Sequence, residues 1–282
     1  MKTSAASPRW AGAMGGVSRA TTLVREMAQE LVEYRELLQL LTRRDLLVRY
    51  KQSVMGFAWA IFMPLTNTAI FWLVFTRVAP LRTDLPYPVY AYTGLLAWNF
   101  FAASLKTSVV SLTANGTLVT KVYFPRELLP FSAILVGLVD FAVGALVLAG
   151  LMAYYGIAPS PTLLLLPVVV LVQAAFTAGV ALLLAMGNLF YRDVKYILEV
   201  VVTFWMFATA VVYPTERVGG VAGAVLKLNP MTPIIDAYRS VILRGEMPPA
   251  GPFLWASAAA VVVLAAGWVI FHRAEFMFAE NV

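Results

Sequence analysis

The sequence predicts an all-α, polytopic membrane protein with six spans, and three observations carry that prediction. Of 282 residues 61% are hydrophobic and 13% charged, with mean hydropathy +0.79; soluble domains carry about a quarter charged residues. The apolar stretches reach the roughly 20 residues a helix needs to cross a bilayer, far beyond the roughly 10-residue alternating strands of a barrel. In lipid every backbone N–H and C=O needs an internal partner, which leaves a helix bundle.

Residues 1–20 are rich in Gly, Ala and Ser and read as a flexible tail, without the unbroken apolar core of a cleavable signal peptide. Residues 21–52 read as an amphipathic interface helix and its basic flank. Leu23, Met27, Leu31, Tyr34, Leu38 and Leu41 recur at spacings of three and four, with Arg25, Glu26, Gln29, Glu30, Glu33 and Glu36 between them. Such a helix lies in the interface or packs on a soluble partner. Arg43, Arg44, Arg49 and Lys51 then precede the first span, a common mark of a cytoplasmic flank.

Residues 53–282 read as a single transmembrane domain with spans at 54–76, 89–110, 128–155, 163–190, 197–213 and 253–271. No charge lies between Lys51 and Arg77, and the spans contain only two acids, Asp140 and Glu199. Between the last two spans, Pro230 and Pro233 interrupt the chain ahead of an apolar stretch at 234–243 that is too short to cross. It predicts a re-entrant or interfacial external helix before the last span. With six spans, the termini and their loops hold fifteen Lys and Arg against six on the other face, which predicts cytoplasmic termini.

A net charge of +6 suits nucleic acid or anionic lipid in principle. Here the positives flank apolar spans and form no long run, so the expected partner is membrane lipid rather than nucleic acid. There is no cysteine and one histidine, His272, so no thiolate chemistry, His-based metal site or triad is expected. No G-x-x-x-x-G-K-[ST] loop occurs, and no H-E-x-x-H or G-x-S-x-G. The chain therefore reads as a non-enzyme, with no catalytic residue, metal or cofactor of its own. A proton- or sodium-coupled carrier needs ionisable groups near mid-membrane, for which Asp140 alone is thin support.

Four segments in order carry a family resemblance. Arg44-Asp45-Leu46-Leu47-Val48-Arg49-Tyr50-Lys51-Gln52-Ser53, followed by Gly56-Phe57-Ala58-Trp59-Ala60 and Pro64-Leu65, is similar to the opening of polysaccharide-exporting ABC permeases. Lys121-Val122-Tyr123-Phe124-Pro125-Arg126-Glu127-Leu128-Leu129-Pro130, Tyr191-Arg192-Asp193-Val194 and Leu228-Asn229-Pro230-Met231 resemble later segments of the same family. The opening places the O-antigen branch ahead of capsule or teichoic acid export. The resemblance implies an all-helical homodimer in the bacterial inner membrane, joined by two ATP-binding cassette subunits that hold ATP and Mg. Its implied substrate is undecaprenyl-linked polysaccharide passing between the copies. A small-molecule exporter of the same architecture and a membrane glycosyltransferase or ligase are the alternatives.

Three sets of site residues follow. Lys121, Tyr123, Phe124, Arg126 and Glu127, with Tyr191, Arg192 and Asp193, are expected to couple the ATPase to the spans through an exposed knob; an interface anchor or a helix-end ion pair is the plainer alternative. Arg43, Arg44, Arg49 and Lys51 match the phosphate oxygens of a lipid pyrophosphate at the cytoplasmic gate, although positives also flank many first spans. Trp72, Trp98, Phe101 and Tyr213 are channel candidates on which sugar rings stack, against the aromatic belt of most interfaces. Asn229, Pro230, Ile235 and Tyr238 are expected to form an external gate.

Overall fold

The computed structural model describes residues 29–51, 58–78, 85–215 and 218–278. The predicted tail at 1–20, the start of the amphipathic helix and the start of the first span lie outside these residues. Among the described residues the chain forms, in order, α1 (Arg35–Lys51), α2 (Ala58–Leu73), α3 (Tyr87–Ala114), α4 (Gly116–Lys121), α5 (Leu128–Tyr154), α6 (Leu166–Phe190), α7 (Val194–Phe207), α8 (Gly220–Leu228), α9 (Met231–Arg239) and α10 (Ala250–Ala274). The described residues contain no strand.

Among the described residues, four helical segments are long and apolar enough to cross a membrane: Tyr87–Ala114, Leu128–Tyr154, Pro161–Phe190 and Ala250–Met277. They cover the second, third, fourth and sixth predicted spans. At the first, the 16 residues of α2 continue as a π-helical turn, Val74–Val78. The fifth is shorter than hydropathy suggests. The 14 residues of α7 rise about 21 Å, against a hydrocarbon core of about 30 Å. The chain leaves the helix at Phe207, and the Tyr213 hydroxyl donates back to the Phe207 carbonyl. Ala210 sits in this turn at φ 53°, a left-handed conformation uncommon for a residue with a Cβ.

Local chemistry sets the helix ends. Pro88 occupies the first turn of α3, where its missing N–H costs nothing. At the far end of the same helix, Asn115 donates its amide to the Ser111 carbonyl at 2.8 Å and separates α3 from α4. Ser160 accepts from the Thr162 N–H ahead of the 3-10 turn Pro161–Leu165, which feeds α6.

The buried helix is α3, packed against α2, α5, α6, α7 and α9. Close approach of α6 and α10 depends on glycine: a Cβ on Gly179 would lie 2.5 Å from the Val263 carbonyl, and one on Gly267 2.5 Å from the Gly179 carbonyl oxygen. Two apolar clusters result. The larger gathers Trp98, Phe101, Phe176, Ile235 and Tyr238; the smaller joins Leu41, Phe124, Leu128, Phe271 and Phe278 at the end where α5 begins.

The connector before α10 folds back onto its own subunit. Ile234, Ile235, Tyr238, Val241 and Ile242 are all buried, and α9 packs on α3, α6 and α10 of its own chain. The apolar stripe thus finds its partner inside the subunit. A π-helical turn, Ser240–Arg244, ends it at Gly245, whose φ of 69° suits glycine.

Candidate functional site

The segment leading into α5 is turned inward over half its length. Tyr123 projects into solvent at 90% exposure, and Lys121 is exposed as well. Phe124, by contrast, is buried in the smaller apolar cluster, so the expected pair of exposed aromatics reduces to one. Arg126 and Glu127 reach the end of α10. The Arg126 guanidinium pairs with Glu275 at 3.2 Å, and its backbone N–H donates to the same carboxylate oxygen at 3.1 Å. Arg126 also donates to the Val119 carbonyl at 3.3 Å, tying α4 to this joint.

Glu127 is 2% exposed, and its Oε1 lies 3.1 Å from His272 Nδ1. The same nitrogen is 3.6 Å from Glu275 Oε2. Burial, reinforced by the Glu275 charge, pushes the Glu127 carboxyl above its ordinary pKa. Arg126 and Glu127 thus fasten this segment to the end of α10, and the single histidine stands in a three-residue cluster with Glu127 and Glu275. The i, i+3 spacing of His272 and Glu275 was a readable signal; their partners 145 and 149 positions away were not.

At the turn after α6 the residues stay outside. Tyr191 is 73% exposed, Arg192 and Asp193 are exposed, and Asp193 precedes α7. Tyr123 and Tyr191 are thus free aromatic surface on the two segments that the sequence singles out for coupling.

The basic flank divides into two pairs. Arg44 pairs with Asp45 at 2.7 Å, and Asp45 accepts from the Ser132 hydroxyl at 2.9 Å. Arg49 pairs with Asp140 at 2.5 Å, and the Tyr50 hydroxyl bonds the other Asp140 oxygen. Burial and the Asp140 hydrogen bond push the Tyr50 phenol above its usual pKa. Asp140 therefore anchors α1 to α5. Among the described residues Arg43 and Lys51 have no ion pair; they line a recess of about 480 Å³ with Leu40, Arg44, Leu47 and Val48.

At the opposite end, Asn229 joins α7 to α9. Its amide donates to the Ala208 carbonyl at 2.9 Å and the Thr209 hydroxyl at 2.8 Å, while its oxygen accepts from Trp205 Nε1 at 3.2 Å and Met231 N–H at 3.1 Å. Pro230 immediately precedes α9. Tyr238 donates to Gln173 at 2.7 Å, and Gln173 donates to the Ala97 carbonyl at 2.7 Å. Trp98 and Phe101 pack with Trp205 and Phe176 in the subunit core. Trp98, Phe101, Ile235 and Tyr238 thus lie buried inside the subunit. Trp72 stays exposed on α2, and Tyr213 is half-buried.

The sequence profile of the ABC-2 type transporter family matches residues 36–243, from α1 through the π turn after α9. A Myxococcus xanthus protein named O-antigen export system permease protein RfbA is 33% identical over 259 residues, covering 91% of this chain and 99% of that relative. The chain belongs to the ABC-2 type transporter family. Two Klebsiella pneumoniae proteins of the same name are each 28% identical over 250 residues, covering 87% of this chain and 94% of theirs. Membership in the ABC-2 type transporters makes this chain the membrane subunit of a transporter and not an enzyme. Within such a subunit, Arg239 went unread in the sequence. It is 1% exposed, pairs with Asp236 at 3.2 Å and donates to the Ala210 and Val211 carbonyls, an arrangement that holds the turn after α7.

Proposed function

We propose that this chain is the channel-forming permease of an ATP-driven exporter that moves undecaprenyl-linked, O-antigen-type polysaccharide across a bacterial inner membrane. The observation that carries this reading is near full-length similarity to relatives named O-antigen export permeases, combined with an ABC-2 match over α1 to α9. Six crossings are proposed, with α2 and its π turn as the first and α7 as the fifth, and the α8–α9 connector re-entering from outside. Both termini then face the cytoplasm.

A second copy is the proposed partner within the membrane. Support comes from outward apolar side chains on α2 (Phe62, Ile70, Trp72, Leu73) and α7 (Ile197, Val200, Phe204). Two cassette subunits carrying ATP and Mg are proposed to dock on Tyr123 and on Tyr191, Arg192 and Asp193. Arg43 and Lys51, uncommitted to ion pairs among the described residues, are the cations of the flank best suited to a lipid pyrophosphate.

The test is co-expression with an ATPase subunit encoded beside this gene. The pair should co-purify and hydrolyse ATP, and vesicles containing it should translocate undecaprenyl-linked polysaccharide only with ATP. A complex that hydrolyses ATP yet moves a small amphiphile and no polysaccharide would replace this substrate by the small-molecule alternative.

A further inference from the structure

We propose that Glu127, His272 and Glu275 form a binding site for a divalent transition-metal ion of the zinc class, fastening the segment that enters α5 to the end of α10. The donor set is one imidazole nitrogen and two carboxylate oxygens, which suits zinc and its neighbours better than magnesium or calcium. His272 and Glu275 lie one helical turn apart, and Glu127 meets them from a segment 145 residues away.

The spacing fits an ion. Zinc–nitrogen and zinc–oxygen bonds of about 2.0–2.2 Å in a tetrahedron put neighbouring donor atoms roughly 3.3–3.6 Å apart. His272 Nδ1 is 3.1 Å from Glu127 Oε1 and 3.6 Å from Glu275 Oε2, and the three donors all fall within 4.8 Å of one another. A hydrogen bond accounts for only part of this. One imidazole nitrogen carries at most one proton, so it can donate fully to only one of the two carboxylates converging on it.

A second observation is independent of the spacing. Glu127 is 2% exposed, and among the described residues its Oε2 has no hydrogen-bond partner. A desolvated carboxylate oxygen without a donor is costly, and a nearby cation removes that cost. Arg126 supplies the outer support: its N–H and guanidinium both hold Glu275 Oε1, leaving Oε2 turned toward His272. Metal-ligating carboxylates are commonly oriented in this way by outer hydrogen bonds. His272 is 33% exposed, so water can complete the coordination from the open side.

The experiment uses the full-length chain, purified in detergent through a tag without histidine, stripped with chelator and titrated with Co²⁺. His272 is the only histidine in the sequence, so no other imidazole competes. The expected result is about one Co²⁺ per chain with the intense visible absorption of a low-coordinate site, displaced by Zn²⁺. His272→Ala and Glu275→Gln should each weaken retention at least tenfold, and Arg126→Lys should weaken it about tenfold. Circular dichroism and gel filtration restrict the comparison to folded variants. Equal retention by the native chain and a folded His272→Ala chain, or no retention by either, overturns the metal site and leaves a hydrogen-bonded clasp.

Discussion

The guanidinium carbon of Arg239 lies 3.8 Å from the centre of the Tyr90 ring, so the end of α9 rests a buried cation on the first turn of α3. The terminal nitrogens of the same guanidinium donate to Val211 and Ala210, and Gly94 leaves the room, since a Cβ there would meet Arg239 Nη2 at 2.7 Å. Ring stacking, carbonyl donation and the Asp236 pair use the planar fork of arginine at once, which a lysine ammonium cannot reproduce.

Arg239→Met should therefore lower stability substantially. Hydrogen bonds from a charged group contribute about 1.5–3 kcal/mol and a desolvated cation–π contact up to about 2 kcal/mol. Thermal unfolding in detergent should show a clear loss for Arg239→Met, and Arg239→Lys should recover only a minor part. Equal melting of Lys variant and native chain would mean that charge alone matters here.

Tyr238→Phe isolates one bond in the interior. It removes the donor to Gln173 Oε1 while leaving the ring packed against Phe141 at 5.7 Å. A buried acceptor left without a partner costs about 1–3 kcal/mol. Thermal unfolding should fall accordingly, and the double variant Tyr238→Phe, Gln173→Leu should not add a second full loss. Additive losses would show that the two side chains do not act as a pair.

Gly179→Ala tests the α6–α10 contact. The new Cβ meets backbone of α10, which cannot swing aside, and overpacking typically costs about 1–3 kcal/mol. Gly150→Ala is the control, because among the described residues nothing lies within 4 Å of its Cβ position, and helix propensity there should be neutral to slightly favourable. A tolerated Gly179→Ala would mean that α10 can move away from α6 at little cost.

How much of this was legible in the sequence depends on whether a feature is local. The long apolar runs of α3, α5, α6 and α10 announce themselves, because a crossing helix satisfies its own backbone. The short α7 did not: residues 208–213 remain largely apolar, and Asn229 and Arg239, some twenty to thirty positions on, bond them into a turn. Aromatic composition could not separate Trp72, outside, from Trp98, inside, since both belong to equally apolar surroundings in the sequence. Arg126 and Glu127 read as surface charge because their partners, Glu275 and His272, lie at the far end of the chain.

Proposed coupling and internal fastening can be separated experimentally, because the segment between α4 and α5 splits in two. Tyr123 is 90% exposed and Tyr191 73%, so truncating them removes almost no internal packing. Tyr123→Ala and Tyr191→Ala should leave the melting temperature of the isolated chain within error. In the assembled exporter they should weaken co-purification of the ATPase subunit, or ATP-dependent export, by severalfold. Arg126→Ala and Glu127→Ala should behave the other way round. They break contacts to Glu275 and His272, and losing one member of a buried charged group is commonly worth a few kcal/mol, about 3–5 at the upper end. The partly exposed His272 and Glu275 place these variants below that end. Their isolated chains should melt earlier, and any loss of export should track the loss of folded protein. Measuring melting and export on all four variants decides the matter. If both tyrosine variants export normally at normal stability, these two aromatics are interface anchors, and the docking surface must be sought elsewhere on the chain.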